Sequence, residues 1–389
     1  MSPFASIDRP NPPAALVIIG SGLAGYTVAR EFRKLDRDTP VTLITADDGG
    51  YYSKPMLSNA LAQGKSAAQL LNTTGIGMAA QLNLRLVSHA HVTAIDTAGQ
   101  RVKTAEGEHA YTSLVLALGA DPIRLALAGD AAARVHSVNH LRDYAGFRAA
   151  LEGKRSVVIF GAGLIGCEFA NDLAGAGIAV RVIDPAAAPM ASLLPPAIGN
   201  ALAERLHAQG VHWHFGRTAA RVDHSDAGYQ VTLDDGSQLT ADLVLSAVGL
   251  RPRVQMAAAA GITVERGIVV DRFLRSSAPQ VYALGDCAQY EGRVLPYVLP
   301  IMNAARALGA SLAGTPTPVV FPAMPVVVKT PALPIVVCPP APGAAGAWNA
   351  LSAEDGTRMT FEDESGRLAG FALCGARTAE RAALAKRMA

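Results

Sequence analysis

A chain of 389 residues exceeds what one ordinary hydrophobic core fills, so more than one domain is expected. Half of the residues are hydrophobic and 17% are charged, which excludes a disordered chain, and a formal net charge of +2 leaves no basic footprint for nucleic acid. Cysteines stand only at 167, 287, 338 and 374, with no C-x-x-C and no close pair. Neither a zinc site nor a redox dithiol is expected, and buried structural thiols are the plain reading, with Cys167 and Cys287 adjoining the motifs below. Redox chemistry would then have to come from a cofactor.

The opening MSPFASIDRPNPPAA has neither a basic cluster nor an apolar run, so no signal peptide is expected there. The longest uncharged apolar stretch, 14–29, is broken by glycines, and the later apolar region, 321–340, by prolines and Lys329. No membrane span is expected, and the cytoplasm is the expected location. Residues 17–19 read as a strand, 24–35 as a helix and 41–45 as a second strand, with Gly20, Gly22 and Gly25 at the turn between the first two. In such a βαβ unit the turn glycines let backbone approach a pyrophosphate, and the helix N-terminus supplies amide donors and a favourable dipole.

The same grammar returns. SVVIF (156–160) reads as a strand, Gly161, Gly163 and Gly166 follow, the helix starts at Leu164, and AVRVID (179–184) is the next strand. Asp184 lies just over twenty residues past the first glycine, where a carboxylate would accept hydrogen bonds from an adenosine ribose. In the first unit Asp47 is the best candidate for that role, a residue or two late. TSLVLALGADP (112–122) and ADLVLSAVGLRPR (241–253) are similar strand-then-glycine segments, each closing a βαβ half, and SSAPQVYALGDCA (276–288) is a strand ending in Gly285-Asp286. The alternation in 229–245 predicts β-hairpin decoration. Past Thr315 a proline-rich texture of short apolar strands begins, ending in a basic helix over 377–387.

Two dinucleotide cradles in series, two glycine-ended closing strands and a late Gly-Asp resemble the two-dinucleotide-binding-domain flavoprotein reductases over essentially the whole chain. The resemblance implies an α/β protein. An NAD-binding Rossmann-like domain (119–240) would be inserted in a discontinuous FAD-binding one (1–118 and 241–314), with a small α+β domain over 315–389. It implies FAD in the first cradle and NADH in the second. No cysteine precedes residue 167, which sets the chain apart from the members with a redox disulfide or a single active thiol. YSKPMLS (52–58), GAGLIGCEFANDL, SAVGLRPR, VYALGDCA and MPVVVKTPALPIVVCPP are most similar to the subgroup that reduces rubredoxin. One departure is Leu118, where the family has threonine.

The resemblance assigns roles residue by residue. Gly20, Gly22 and Gly25, with the amides of Leu23 and Ala24, would hold the FAD pyrophosphate; Val92 would meet the adenine through its backbone, and Asp286 a ribityl hydroxyl. Lys54 and Lys329 would lie near the isoalloxazine. Asp47, Pro55, Ala117, Gly119, Gly249, Gly285 and Val298 complete the expected cofactor contacts. Gly161, Gly163 and Gly166, with Leu164 and Ile165, would cradle the NADH pyrophosphate, Glu168 would sit near the nicotinamide, and Asp184 would take the ribose. The chemistry implied is hydride transfer from NADH to flavin and single-electron delivery to rubredoxin, with no catalytic side chain required. A ferredoxin reductase and a cofactor-occupied redox sensor are the alternatives. Docking of an acidic carrier would draw on Arg30, Arg33, Lys34 and Arg37, or on Arg377, Arg381, Lys386 and Arg387.

Overall fold

The computed structural model describes residues 15–226 and 228–388, so the expectation about a signal peptide lies outside the described residues. The chain divides into two compact units, one comprising the chain up to Tyr51, Thr73–Gly119 and Pro252–Val320, the other Tyr52–Asn72, Ala120–Arg251 and the chain from Phe321.

In the first unit, five strands form a parallel sheet in the order Val281–Ala283, Ser113–Leu116, Leu16–Ile19, Val41–Ile44, Arg85–Val87. Leu16–Ile19 is buried throughout, as a strand covered on both faces must be. Its neighbours lie on opposite sides, so the chain reverses its winding there, and the carboxyl end of Leu16–Ile19 is the switch point where α/β sheets bind ligands. The helix Leu23–Arg33 starts from that end and packs on Val298–Leu312. A Cβ on Gly309 would lie 2.8 Å from that of Glu31, so glycine allows the two helices to approach. A separate antiparallel sheet joins Val92–Asp96, Arg101–Thr104 and Gly107–Ala110.

The second unit repeats the architecture with four parallel strands in the order Val211–Phe215, Ala179–Asp184, Ser156–Phe160, Leu243–Ser246. An antiparallel sheet follows, Ala219–Ser225, Gly228–Leu233 and Gln238–Ala241, where alternation had predicted a hairpin. The chain from Phe321 adds a five-stranded antiparallel sheet, Val326–Val328, Ile335–Cys338, Leu368–Cys374, Gly356–Asp363 and Gly346–Ala353, capped by the short helix Arg381–Arg387 through Leu384. One apolar cluster runs from Val157, Leu173 and Leu245 to Ile335, Val337 and Ala372.

These pairings move the expected boundaries. Leu243–Ser246 pairs with Ser156–Phe160, so the inserted part extends to Arg251 rather than ending at 240. Residues 52–72 belong with the second unit, and the sheet of the C-terminal part packs apolar residues into that unit's core. Among the described residues no helix is long and apolar enough to cross a membrane.

Candidate dinucleotide-binding site

The two glycine loops have the same backbone. Each first glycine has a left-handed φ, +111° at Gly20 and +98° at Gly161, and side chains rarely adopt that region. A Cβ at Gly20 would collide with the Ala117 carbonyl oxygen, and one at Gly161 would come within 2.7 Å of the Ala247 carbonyl oxygen. A Cβ at Gly25 or Gly166 would collide with the carbonyl oxygen of its own loop's first glycine. Both are therefore fixed by the chain itself.

The middle glycines differ. Gly22 and Gly163 both have φ −71° and ψ −173°, a conformation open to any residue, and a Cβ at either would meet nothing within 4 Å. The protein's own packing gives no reason for glycine there; a ligand lying close against the loop does. Each middle glycine is also the N-cap of its helix, Leu23–Arg33 or Leu164–Gly175, with no side-chain cap. The first-turn amides, those of Leu23 and Ala24 in one loop and of Leu164 and Ile165 in the other, are the donors an anionic pyrophosphate fits.

A carboxylate organises each loop. Asp184 ends its strand; one oxygen accepts the Ala162 amide at 2.6 Å, and the other accepts the Ala186 amide at 2.7 Å. In the first loop Thr45 follows the strand end and Asp47 lies two residues later. Asp47 Oδ1 accepts from Ser21 Oγ (3.0 Å), Thr45 Oγ1 (2.7 Å) and the Gly49 amide (2.9 Å), and the two hydroxyls lie 2.8 Å apart. Around the first loop, Ala117 follows the strand Ser113–Leu116, and a Cβ on Gly285 would lie 2.9 Å from that of Ala24. Asp286 follows in a 3₁₀ turn, Gly285–Cys287. Gly119 and Gly249 both have left-handed φ, and the Gly249 carbonyl accepts the Ile123 amide. Val92 opens its strand at the register of Thr104, and Val298 is an exposed residue at the start of Val298–Leu312.

A second constellation forms around the helix Leu164–Gly175. Glu168 is 1% exposed. Its carboxylate accepts Ser58 Oγ at 2.6 Å and the Lys329 amide at 3.0 Å, with Lys329 Nζ at 3.4 Å. That ammonium also donates to the Pro55 carbonyl at 2.9 Å. One turn along, Asp172 accepts the amides of Leu61 and Ala62 at 2.8 and 2.9 Å, and Asn171 Oδ1 accepts the Ala332 amide. Burial pushes the Asp172 carboxyl upward, opposed by those amides. The helix thus grips residues 58–62 with Glu168 and Asp172, and the VKTPA segment with Glu168 and Asn171. Ser58, Asn171 and Asp172 were missed in the sequence, because their partners lie more than a hundred positions away.

Cys167 and Cys287 are buried, and burial raises both thiols, that of Cys287 to about 11. Arg33 donates to the carbonyls of Leu82 and Asn83, Lys34 pairs with Glu31, and Arg377 pairs with Glu380. Each of these three has a partner within the chain, while the Lys34 side chain remains 59% exposed.

Family comparisons agree with this geometry. Residues 14–309 match the family "Pyridine nucleotide-disulphide oxidoreductase", and residues 318–388 match "Rubredoxin binding C-terminal domain". The chain is 49% identical to a rubredoxin-NAD(+) reductase of Alcanivorax borkumensis, over 96% of this chain and 98% of that one. It is 44% identical to a protein of the same description from Acinetobacter baylyi, over 93% and 94%. Among solved structures it superposes on the ferredoxin reductase for the CYP199A2 system from Rhodopseudomonas palustris with a TM-score of 0.87, at 27% identity over 95% and 92% of the two chains. Two glycine cradles of one geometry, and sequence agreement from end to end, show that the chain belongs to the pyridine nucleotide–disulphide oxidoreductases and, within them, to the rubredoxin–NAD(+) reductases.

Proposed function

We propose that this chain is a FAD-dependent reductase that oxidises NADH and passes the electrons singly to rubredoxin. The observation that carries this reading is the pair of middle glycines, Gly22 and Gly163, whose identity only a closely apposed ligand explains, each at an uncapped helix N-terminus. The residues present fit two dinucleotides. When bound, these supply hydride transfer and its division into single electrons.

The first unit is assigned to FAD. Gly20, Gly22 and Gly25 bring the backbone close, the Leu23 and Ala24 amides donate to the pyrophosphate, and Val92, Ala117, Gly285 and Asp286 are the further contacts. NADH is assigned to Gly161, Gly163, Gly166, Leu164 and Ile165. Asp184 retains lone pairs beyond the two amides it accepts, and its charge opposes a 2′-phosphate. Glu168, with Lys329, Lys54, Pro55 and Ser58, is assigned to positioning and electrostatic tuning. A thiol relay finds no support at Cys167 or Cys287, since the thiolate is the reactive form and both are disfavoured as thiolates. Supply of electrons to alkane hydroxylation and a cytoplasmic location are part of the same proposal.

The test is steady-state NADH consumption with rubredoxin, ferredoxin and oxygen in parallel. Rubredoxin should be reduced fastest. Faster reduction of ferredoxin would replace the acceptor, and slow turnover with all three would favour a redox sensor.

A further inference from the structure

The strand end that carries Asp184 is stitched to the loop after the neighbouring strand, Val211–Phe215. The Gly216 amide donates to the Ala186 carbonyl at 3.1 Å and the Arg217 amide to the Asp184 carbonyl at 3.2 Å. The backbone of Arg217 is therefore one hydrogen bond from the residue assigned to the ribose. The segment after Asp184, Pro185 to Pro189, carries no charge, and Arg181 on the strand itself donates to the Thr240 carbonyl. Arg217 is thus a guanidinium rooted at this strand end.

Its charge is already matched. Arg217 Nε lies 2.8 Å from Asp235 Oδ2, with the two side chains 45% and 34% exposed. Asp235 stands in the turn between Gly228–Leu233 and Gln238–Ala241, and its other oxygen accepts the Ser237 amide at 3.0 Å and Ser237 Oγ at 2.6 Å. That turn is tied to the Arg217 loop: the Asp234 amide donates to the Thr218 carbonyl at 3.0 Å, and Thr218 Oγ1 donates to Asp234 at 3.2 Å. The fold therefore sets the carboxylate opposite the guanidinium. A free arginine fork suits a phosphate, and one already held by a carboxylate offers it much less.

We infer that the Arg217–Asp235 pair is a second determinant of coenzyme choice, in which Asp235 occupies the guanidinium that a coenzyme 2′-phosphate would otherwise engage. This rests on the assignment of NADH to the second loop. Asp184 opposes the phosphate by its own charge, and Asp235 withholds the cation rooted beside it. An exposed ion pair is weak, so the contribution is a few-fold change in affinity.

The experiment titrates NAD⁺ and NADP⁺ onto the FAD-loaded enzyme carrying Asp235→Asn, which keeps an oxygen for Ser237 and removes the charge. NADP⁺ should bind about threefold more tightly, with NAD⁺ within about twofold of the parent. In an Asp184→Ala background, adding Asp235→Asn should favour NADP⁺ by about threefold. Adding Arg217→Leu should remove both gains, because the released arginine is their cause. A gain that survives Arg217→Leu would assign the effect to lost negative charge alone and overturn the inference, as would NADP⁺ affinity unchanged by Asp235→Asn in both backgrounds. NAD⁺ titration of the parent reads the underlying assignment separately: a parent that does not bind NAD⁺ would overturn the proposed function, and this inference with it.

Discussion

The two glycine loops share one backbone and differ in the polar chemistry that holds it. In the second, Asp184 accepts the loop amide of Ala162 directly. In the first, the position of Ala162 is taken by Ser21, whose hydroxyl reaches Thr45 and Asp47, so the carboxylate works through two hydroxyls from two residues further along. The glycines are dictated by steric limits that admit one solution, whereas several arrangements of donors and acceptors can tether the same turn. The first loop therefore has redundant ties, and the second depends on one carboxylate.

The largest effect should separate the glycines within each loop. Gly25→Ala or Gly166→Ala drives a Cβ into a carbonyl oxygen and should cost more than about 4 kcal/mol or abolish folding. Gly22→Ala and Gly163→Ala should change stability by no more than about 0.5 kcal/mol. Their expected cost falls on FAD retention and NADH affinity respectively, read by flavin content and NAD⁺ titration. Normal NADH affinity in a Gly163→Ala protein would break the parallel between the loops.

Next is the cluster beside the second loop. Lys329→Met leaves the 1% exposed Glu168 carboxylate without its ammonium, and, discounted for the 32% exposure of the Lys329 side chain, should cost about 2 kcal/mol. Adding Glu168→Gln should recover most of that loss in chemical denaturation. Strict additivity of the two substitutions would show that the pair is not coupled.

A smaller effect concerns Asp184. The enzyme should prefer NADH to NADPH by roughly tenfold or more in kcat/KM, about 1.4 kcal/mol, and Asp184→Ala should erase the preference. Arg181 does not offset this charge, because strand alternation sends it to the other face, where it donates to the Thr240 carbonyl. Thr45→Val in the first loop, where the Ser21–Asp47 tie remains, should alter FAD binding by no more than about threefold, under 1 kcal/mol. An equal loss from Asp184→Ala and Thr45→Val in their respective cofactors would contradict the redundancy.

The smallest effect is expected at the thiols. Since burial raises the Cys167 and Cys287 thiols, native protein at pH 8 should resist alkylation at both, and Cys287→Ala should keep carrier reduction within about threefold. Rapid labelling at pH 8, with loss of turnover, would reinstate a thiol step.

How much of this was legible beforehand follows from the range of the forces involved. Gly20, Gly22, Gly25 and their counterparts were readable because a turn between a strand and the helix that follows it is decided by φ and close approach within a few residues. Asp184 was readable from its place at the next strand's end. Choice of strand partner is not local. Leu243–Ser246 could have joined either parallel sheet, since both need a buried apolar strand, and only tertiary pairing with Ser156–Phe160 carried the inserted part on to Arg251. The Glu168 cluster shows the same limit more sharply. Its serine and lysine lie 110 and 161 positions away, so no spacing announces them. The sequence by itself determined the two cradles, because steric exclusion acts over a few bonds. The packed structure alone decided which distant polar groups would share the dry interior beside Glu168, because a buried charge takes its partners from whatever the fold brings within reach.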